Sequence, residues 1–148
     1  MAATGRRYAQ AGFELAIENN NLDRWESDLA KVAEVLRDQD FMDFLNAPQV
    51  PETAKLDGIG ELLADVEVMV RNIVNLMSIN DDVAKFPEMY RIFSEMTDEY
   101  RGIARAEVIT AVALDDARRR KIIDGLARLT GRVEVKITES VDGQIIGG

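Results

Sequence analysis

What most constrains this chain is a change of hydrophobic period part-way along it. From Tyr8 to Tyr100 apolar residues recur at three- and four-residue intervals, the spacing that lines up side chains on one face of an α-helix. After Gly102 the period becomes two: Ala106, Val108, Thr110 and Val112 alternate with Glu107, Ile109 and Ala111, as in a mostly buried strand. The switch predicts a mainly α chain. Residues 1–104 are expected to form a six-helix antiparallel bundle, and residues 105–148 a small, incomplete α/β module of strand, helix and strand.

Local signals divide the helical part. Thr4 is a candidate N-cap for a first helix ending near Glu18. That helix carries two apolar stripes, one of Tyr8, Gly12 and Leu15 and one of Ala9, Phe13, Ala16 and Ile17. A helix apolar on two sides is either wholly buried or shared between a core and a partner. Gly12 costs about 1 kcal/mol against alanine inside a helix, which close approach by another helix would offset. Asp23 and Glu26 have the spacing of a capping box opening a second helix, whose stripe includes Leu22, Trp25, Leu29, Val32 and Leu36. A short apolar turn from Phe41 to Leu45 stops before Pro48 and Pro51, and a fourth helix is expected from Pro51 to about Leu63. Val66, Met69, Val70, Ile73, Leu76 and Met77 form the fifth stripe. The sixth contains Phe86, Met89, Tyr90, Phe93, Met96 and Tyr100, with Pro87 near its first turn and Gly102 as its stop.

The second part is shorter. Asp115 or Asp116 can cap a helix whose expected buried face is Ile122, Ile123, Leu126 and Leu129. Thr130-Gly131 ends it, and Val133, Val135 and Ile137 then alternate with Arg132, Glu134 and Lys136 as a second strand. Two strands and one helix are marginal as an independent unit.

The missing residue types exclude much chemistry. With no histidine or cysteine, ordinary zinc sites, disulfides and Ser-His or Cys-His nucleophile pairs are unavailable. No Walker A or G-x-G-x-x-G stretch supports nucleotide binding, and the Asp81-Asp82 and Asp115-Asp116 pairs fit no calcium loop. No catalytic residue, cofactor or metal is therefore expected. The net charge of −9 lies in residues 1–105, with 20 acidic and 11 basic side chains, whereas residues 106–148 carry seven of each. That imbalance argues against a nucleic-acid partner and for a neutral or basic amphipathic one. The one basic run, Arg118-Arg119-Arg120-Lys121, reads as a solvated helix face. No apolar run approaches the roughly 20 residues of a membrane span. Gln10 and Glu14 likewise interrupt any signal sequence behind Arg6 and Arg7. Two non-enzymatic readings stay open at this level: a generic helical adaptor for an amphipathic helix, and a ubiquitin-like carrier using Gly147-Gly148.

The ordered set of segments resembles the ATP synthase delta subunit / oligomycin-sensitivity-conferring protein family of bacterial type. Arg6 to Ala16 is similar to its R-x-Y-A-x-A-x-F-x-x-A opening, and Glu107 to Leu114 to its V-x-T-A-x-x-L strand. Leu129-Thr130-Gly131-Arg132-Val133 and the D-x-x-I-G-G-like Asp142 to Gly148 follow in order. Asn80-Asp81-Asp82-Val83 stands where relatives commonly carry an N-G-R-L-like turn, without its arginine. The resemblance implies a non-catalytic peripheral-stalk (stator) subunit of a proton-translocating F-type ATP synthase, on the cytoplasmic face of the plasma membrane. Its bundle would take an α subunit N-terminal helix in a groove between the first and fifth helices. Carried onto this chain, that groove draws on Tyr8, Ala9, Gly12, Phe13, Leu15 and Ala16 with Ile73, Leu76 and Met77. The C-terminal module would meet the b-type peripheral stalk. The family continues past I-G-G with a further strand and helix, so a shortened C-terminal end is expected here.

Overall fold

The computed structural model describes residues 4–144, so Ile145-Ile146-Gly147-Gly148, which completes the D-x-x-I-G-G-like stretch, lies outside the described residues. Seven α-helices, one 3-10 turn and two strands follow one another: α1 (Gly5–Glu18), α2 (Leu22–Val35), α3 (Gln39–Asn46), α4 (Glu52–Leu62), α5 (Val68–Ile79), the turn Val83–Lys85, α6 (Phe86–Arg101), β1 (Ile103–Thr110), α7 (Asp116–Thr130) and β2 (Glu134–Val141). The fold is mainly helical with a small parallel sheet, as the change of period predicts. Two compact units result, Met1–Thr97 and Asp98–Gly148, divided within the last turn of α6.

In the helical unit the caps explain the boundaries. The Thr4 side chain accepts a hydrogen bond from the Arg7 backbone N–H at the start of α1, and that of Asp38 accepts one from Phe41 at the start of α3. The expected capping box of α2 does not form at its N-cap. The helix opens two residues early, with Asn21 as cap and Asp23 inside the first turn, where its charge favours the helix dipole. Pro51 caps α4, and Pro87 falls in the first turn of α6, where its missing N–H costs no intrahelical bond.

The core of this unit is aromatic at its centre. Trp25 is fully buried and stacks on Phe93 with ring centroids 5.8 Å apart, and Phe13 meets Phe93 edge-on at 6.0 Å. Leu29, Val32, Ile59, Leu63, Val70, Val74 and Met89 close around them. A wholly buried carboxylate ties α2 to the loop before α5. Asp28 accepts hydrogen bonds from the Arg24 guanidinium and from the Glu67 backbone N–H, each 2.7 Å long. Arg24 reaches onward to the Asp65 carbonyl at 2.9 Å. The start of α5 is thus held by charge-assisted bonds as well as by packing.

In the second unit β1 and β2 pair in parallel, Ile103 with Glu134 through Thr110 with Val141. The α7 helix between them starts on the Asp115 side chain and ends on Gly131, whose φ of +68° is the left-handed conformation glycine adopts without a Cβ penalty. The helix brings Arg119 to Glu139 of β2 at 2.8 Å. That carboxylate raises the arginine's affinity for its proton, so one member of the basic run is tied down rather than free. The expected buried face of α7 is corrected: none of its residues is buried, and Leu129 is 84% exposed. A two-stranded sheet is too narrow to cover a four-turn helix. Val133, expected inside the second strand, precedes it and is exposed for the same reason.

Candidate docking surface

Tyr8 fixes how α1 and α5 lie together. Its hydroxyl donates to the Asp82 carboxylate at 2.5 Å and accepts from the Asn80 amide at 3.0 Å, both just past the end of α5. Lys85 approaches the other Asp82 oxygen at 2.9 Å. The Tyr8 bond, then Lys85, hold the Asp82 carboxyl below the usual carboxylate range, while burial and the same carboxylate push the Tyr8 phenol up. Four residues further along α1, Gly12 faces Ile73 of α5 and the Trp25 ring. The start of α1 therefore meets the end of α5, and the two helices run antiparallel.

Seen from this contact, the nine residues expected at the groove separate into three groups. Tyr8, Ala9, Gly12, Ala16, Ile73 and Met77 are buried in the bundle core, and their side chains present almost no surface. Phe13 and Leu15 are half-buried on opposite flanks of α1. Leu15 lies two turns from Tyr8 on the flank that turns toward α5, whereas Phe13 leans on Phe93. Leu76 is 47% exposed. The two stripes of α1 thus merge into one buried seam with an apolar flank on either side.

The surface that remains includes residues the sequence reading placed in the core or passed over. Met69 and Leu76 stand about one turn on either side of Ile73 and project outward, with Val68 and Ile79 beyond them. The α5 core face is Val70, Ile73, Val74 and Met77, so this helix is apolar around far more than one face. That excess over a single amphipathic stripe is the signal that identifies an outward apolar strip. On α1 itself, Ala11, Phe13, Leu15 and Ile17 line a shallow outer surface together with Glu14 and Glu18. The site is an apolar strip beside acidic side chains, with no group of three or more carboxylates converging among the described residues. What such a surface offers chemically is apolar area to bury and nearby charge to complement.

Comparison with known proteins agrees with the geometry. Residues 4–148 match the family model for the ATP synthase delta (OSCP) subunit. The ATP synthase subunit delta of Alcanivorax borkumensis is 31% identical over 149 residues, covering 100% of this chain and 83% of the relative. That of Desulfitobacterium hafniense strain Y51 is 32% identical over 148 residues, covering 99% and 82%. Among solved structures, a chain of the Toxoplasma gondii mitochondrial ATP synthase hexamer shares the fold, with a TM-score of 0.64 at 21% identity over 96% of this chain and 80% of that one. With helices, strand and motif order all in agreement, the chain belongs to the ATP synthase delta (OSCP) subunit family.

Proposed function

We propose that this chain is a non-catalytic stator subunit, joining the α/β catalytic head of an F-type ATP synthase to its b-type peripheral stalk so that the head does not turn with the central shaft. The observation carrying this reading is the strip of Met69, Leu76, Val68 and Ile79 beside Leu15, which the bundle core does not use. An amphipathic helix from the N-terminus of an α subunit is the proposed occupant, seated by its apolar residues along α1 and α5. Glu14 and Glu18 favour a neutral or basic polar face on that helix.

The energetics are consistent with docking. The five partly exposed side chains contribute roughly 1 kcal/mol each on burial, and three or four anchors of the partner about 2 kcal/mol each. After an association cost at the low end, about 4 kcal/mol, the balance is near the roughly 8 kcal/mol of micromolar affinity. One such contact is weak for a part that resists torque, so attachments at both ends of the chain act in series. The C-terminal α/β module, residues 105–148 of the sequence, is the proposed stalk contact. No helix among the described residues is long and apolar enough to cross a membrane, and the proposed location is peripheral, on the cytoplasmic face of a bacterial plasma membrane.

Reconstitution tests this. Membranes carrying the enzyme stripped of its delta subunit are expected to regain ATP-driven proton pumping when this chain is added, with ATP hydrolysis by the isolated head unchanged. Hydrolysis by the chain alone, or pumping that stays uncoupled although the chain is bound, would reject the reading.

A further inference from the structure

A second apolar groove lies in the helical unit, away from α1 and α5, between the C-terminal half of α2 and the first half of α6. Trp25 stacks on Phe93, and eight and eleven residues further on, Ala33 of α2 and Leu36 at its C-cap line the groove with Phe86 and Tyr90 of α6. The two helices therefore run antiparallel, and Met42 of α3 and Val83 of the 3-10 turn complete the groove's lining. Val83 and Phe86 are its buried floor, and Leu36, Met42 and Tyr90 are half-buried walls. Its α6 side, from Phe86 to Ser94, spans about 12 Å at the rise of an α-helix, and the 3-10 turn at Val83 extends it by about one further turn.

Its charge is the reverse of the chain's. None of the described residues lining the trough is acidic and two are basic, Arg37 and Arg91, on a protein of net charge −9. Each arginine rests against a glutamate of its own surroundings, Arg37 on Glu34 at 3.1 Å and Arg91 on Glu95 at 2.8 Å. Both pairs are exposed, and such pairs are held by at most about 1 kcal/mol, so either guanidinium can turn to an incoming carboxylate at little cost. The outer surface of α1 carries Glu14 and Glu18 instead, so the two surfaces differ in charge.

We propose that the α2–α6 trough docks an acidic amphipathic helix of about three turns, its apolar side on Val83 and Phe86 and its carboxylates on Arg37 and Arg91. This does not depend on the reading of the α1–α5 strip, since no residue is shared.

The test uses the whole chain and two synthetic stapled helices of about 11 residues, long enough to fill the trough. Both carry leucines at i, i+4 and i+7; one is flanked by glutamates, the other by lysines. Binding is followed by fluorescence anisotropy and by amide chemical shifts. The glutamate helix is expected to bind and to shift the amides of Ala33, Leu36, Met42 and Ser94. R37E/R91E is expected to weaken it about tenfold or more and to strengthen the lysine helix. Because a gain cannot come from misfolding, that rescue separates the proposal from simple damage. Should R37E/R91E lose both peptides, R37Q and R91Q are each expected to weaken the glutamate helix several-fold. Unchanged affinity in these variants overturns the proposal, as does failure to bind or binding that shifts α1 and α5 amides instead.

Discussion

Gly12→Ala separates local helix preference from packing, because the two predict opposite signs. In an isolated helix the substitution stabilises by about 1 kcal/mol. In this bundle a Cβ on residue 12 would sit 2.8 Å from Trp25 Cζ3 and 3.2 Å from Ile73 Cδ1. Neither neighbour can yield freely. Trp25 is 0% exposed and stacked on Phe93 at 14° between ring planes, and Ile73 is buried against α1. Forcing an extra carbon into such a site costs about 1–3 kcal/mol, so the net change is a loss of up to about 2 kcal/mol. For a unit of about 100 residues each kcal/mol moves the melting temperature by about 4–8 °C, so the expected loss is several degrees. Urea and thermal unfolding followed by Trp25 fluorescence measure it directly, since this is the only tryptophan. A Gly12→Ala protein more stable than the parent would refute the claim that close approach explains this glycine.

Three further perturbations address other joints of the bundle. Asp28→Ala removes two charge-assisted bonds from a buried carboxylate, and because Arg24 is half exposed and can rehydrate, the expected loss is about 2–3 kcal/mol by urea unfolding. Tyr8→Phe is expected to lower the melting temperature at pH 7 by a few degrees. The difference from the parent should shrink on acidification, since the Asp82 carboxyl is depressed in the folded state: its contribution is complete above the unfolded value of about 3.9 and is lost as pH falls through the folded one. A gap that widens below pH 4 contradicts the assignment. In the second unit, Leu129→Gln is expected to leave stability within about 0.5 kcal/mol, because the side chain is 84% exposed; a larger loss in thermal unfolding would show that it is covered.

The sequence reading and the structure agree where one physical signal dominates. Five of the six helices of the bundle have a stripe, the fourth is marked only by Pro51 and its length, and punctuating residues such as Thr4, Pro51 and Gly102 place the boundaries within a residue or two. The Trp25–Phe93 stack follows from their stripes meeting. Capping was less legible at α2, where the S/T/D-x-x-E spacing of Asp23 and Glu26 also suits first-turn acids, and only the backbone of Asn21 decides between them. The candidate docking surface was half legible. Spacing alone cannot say which side of an all-round apolar helix faces the core, so Ile73 and Met77 stood beside Leu76 as equals until burial separated them. In α7 the period was real, but the sheet beneath is only two strands wide, and a stripe gives no measure of what covers it.

The central claim is best tested by titrating the chain with a synthetic N-terminal segment of an ATP synthase α subunit. Isothermal calorimetry is expected to give one-to-one binding at micromolar affinity or tighter, with amide shifts at Leu15, Met69 and Leu76. Leu76→Asp is expected to abolish the binding while leaving the helical circular dichroism and the melting temperature unchanged, because that side chain is 47% exposed. Absence of binding, or binding that Leu76→Asp leaves intact, would contradict the account.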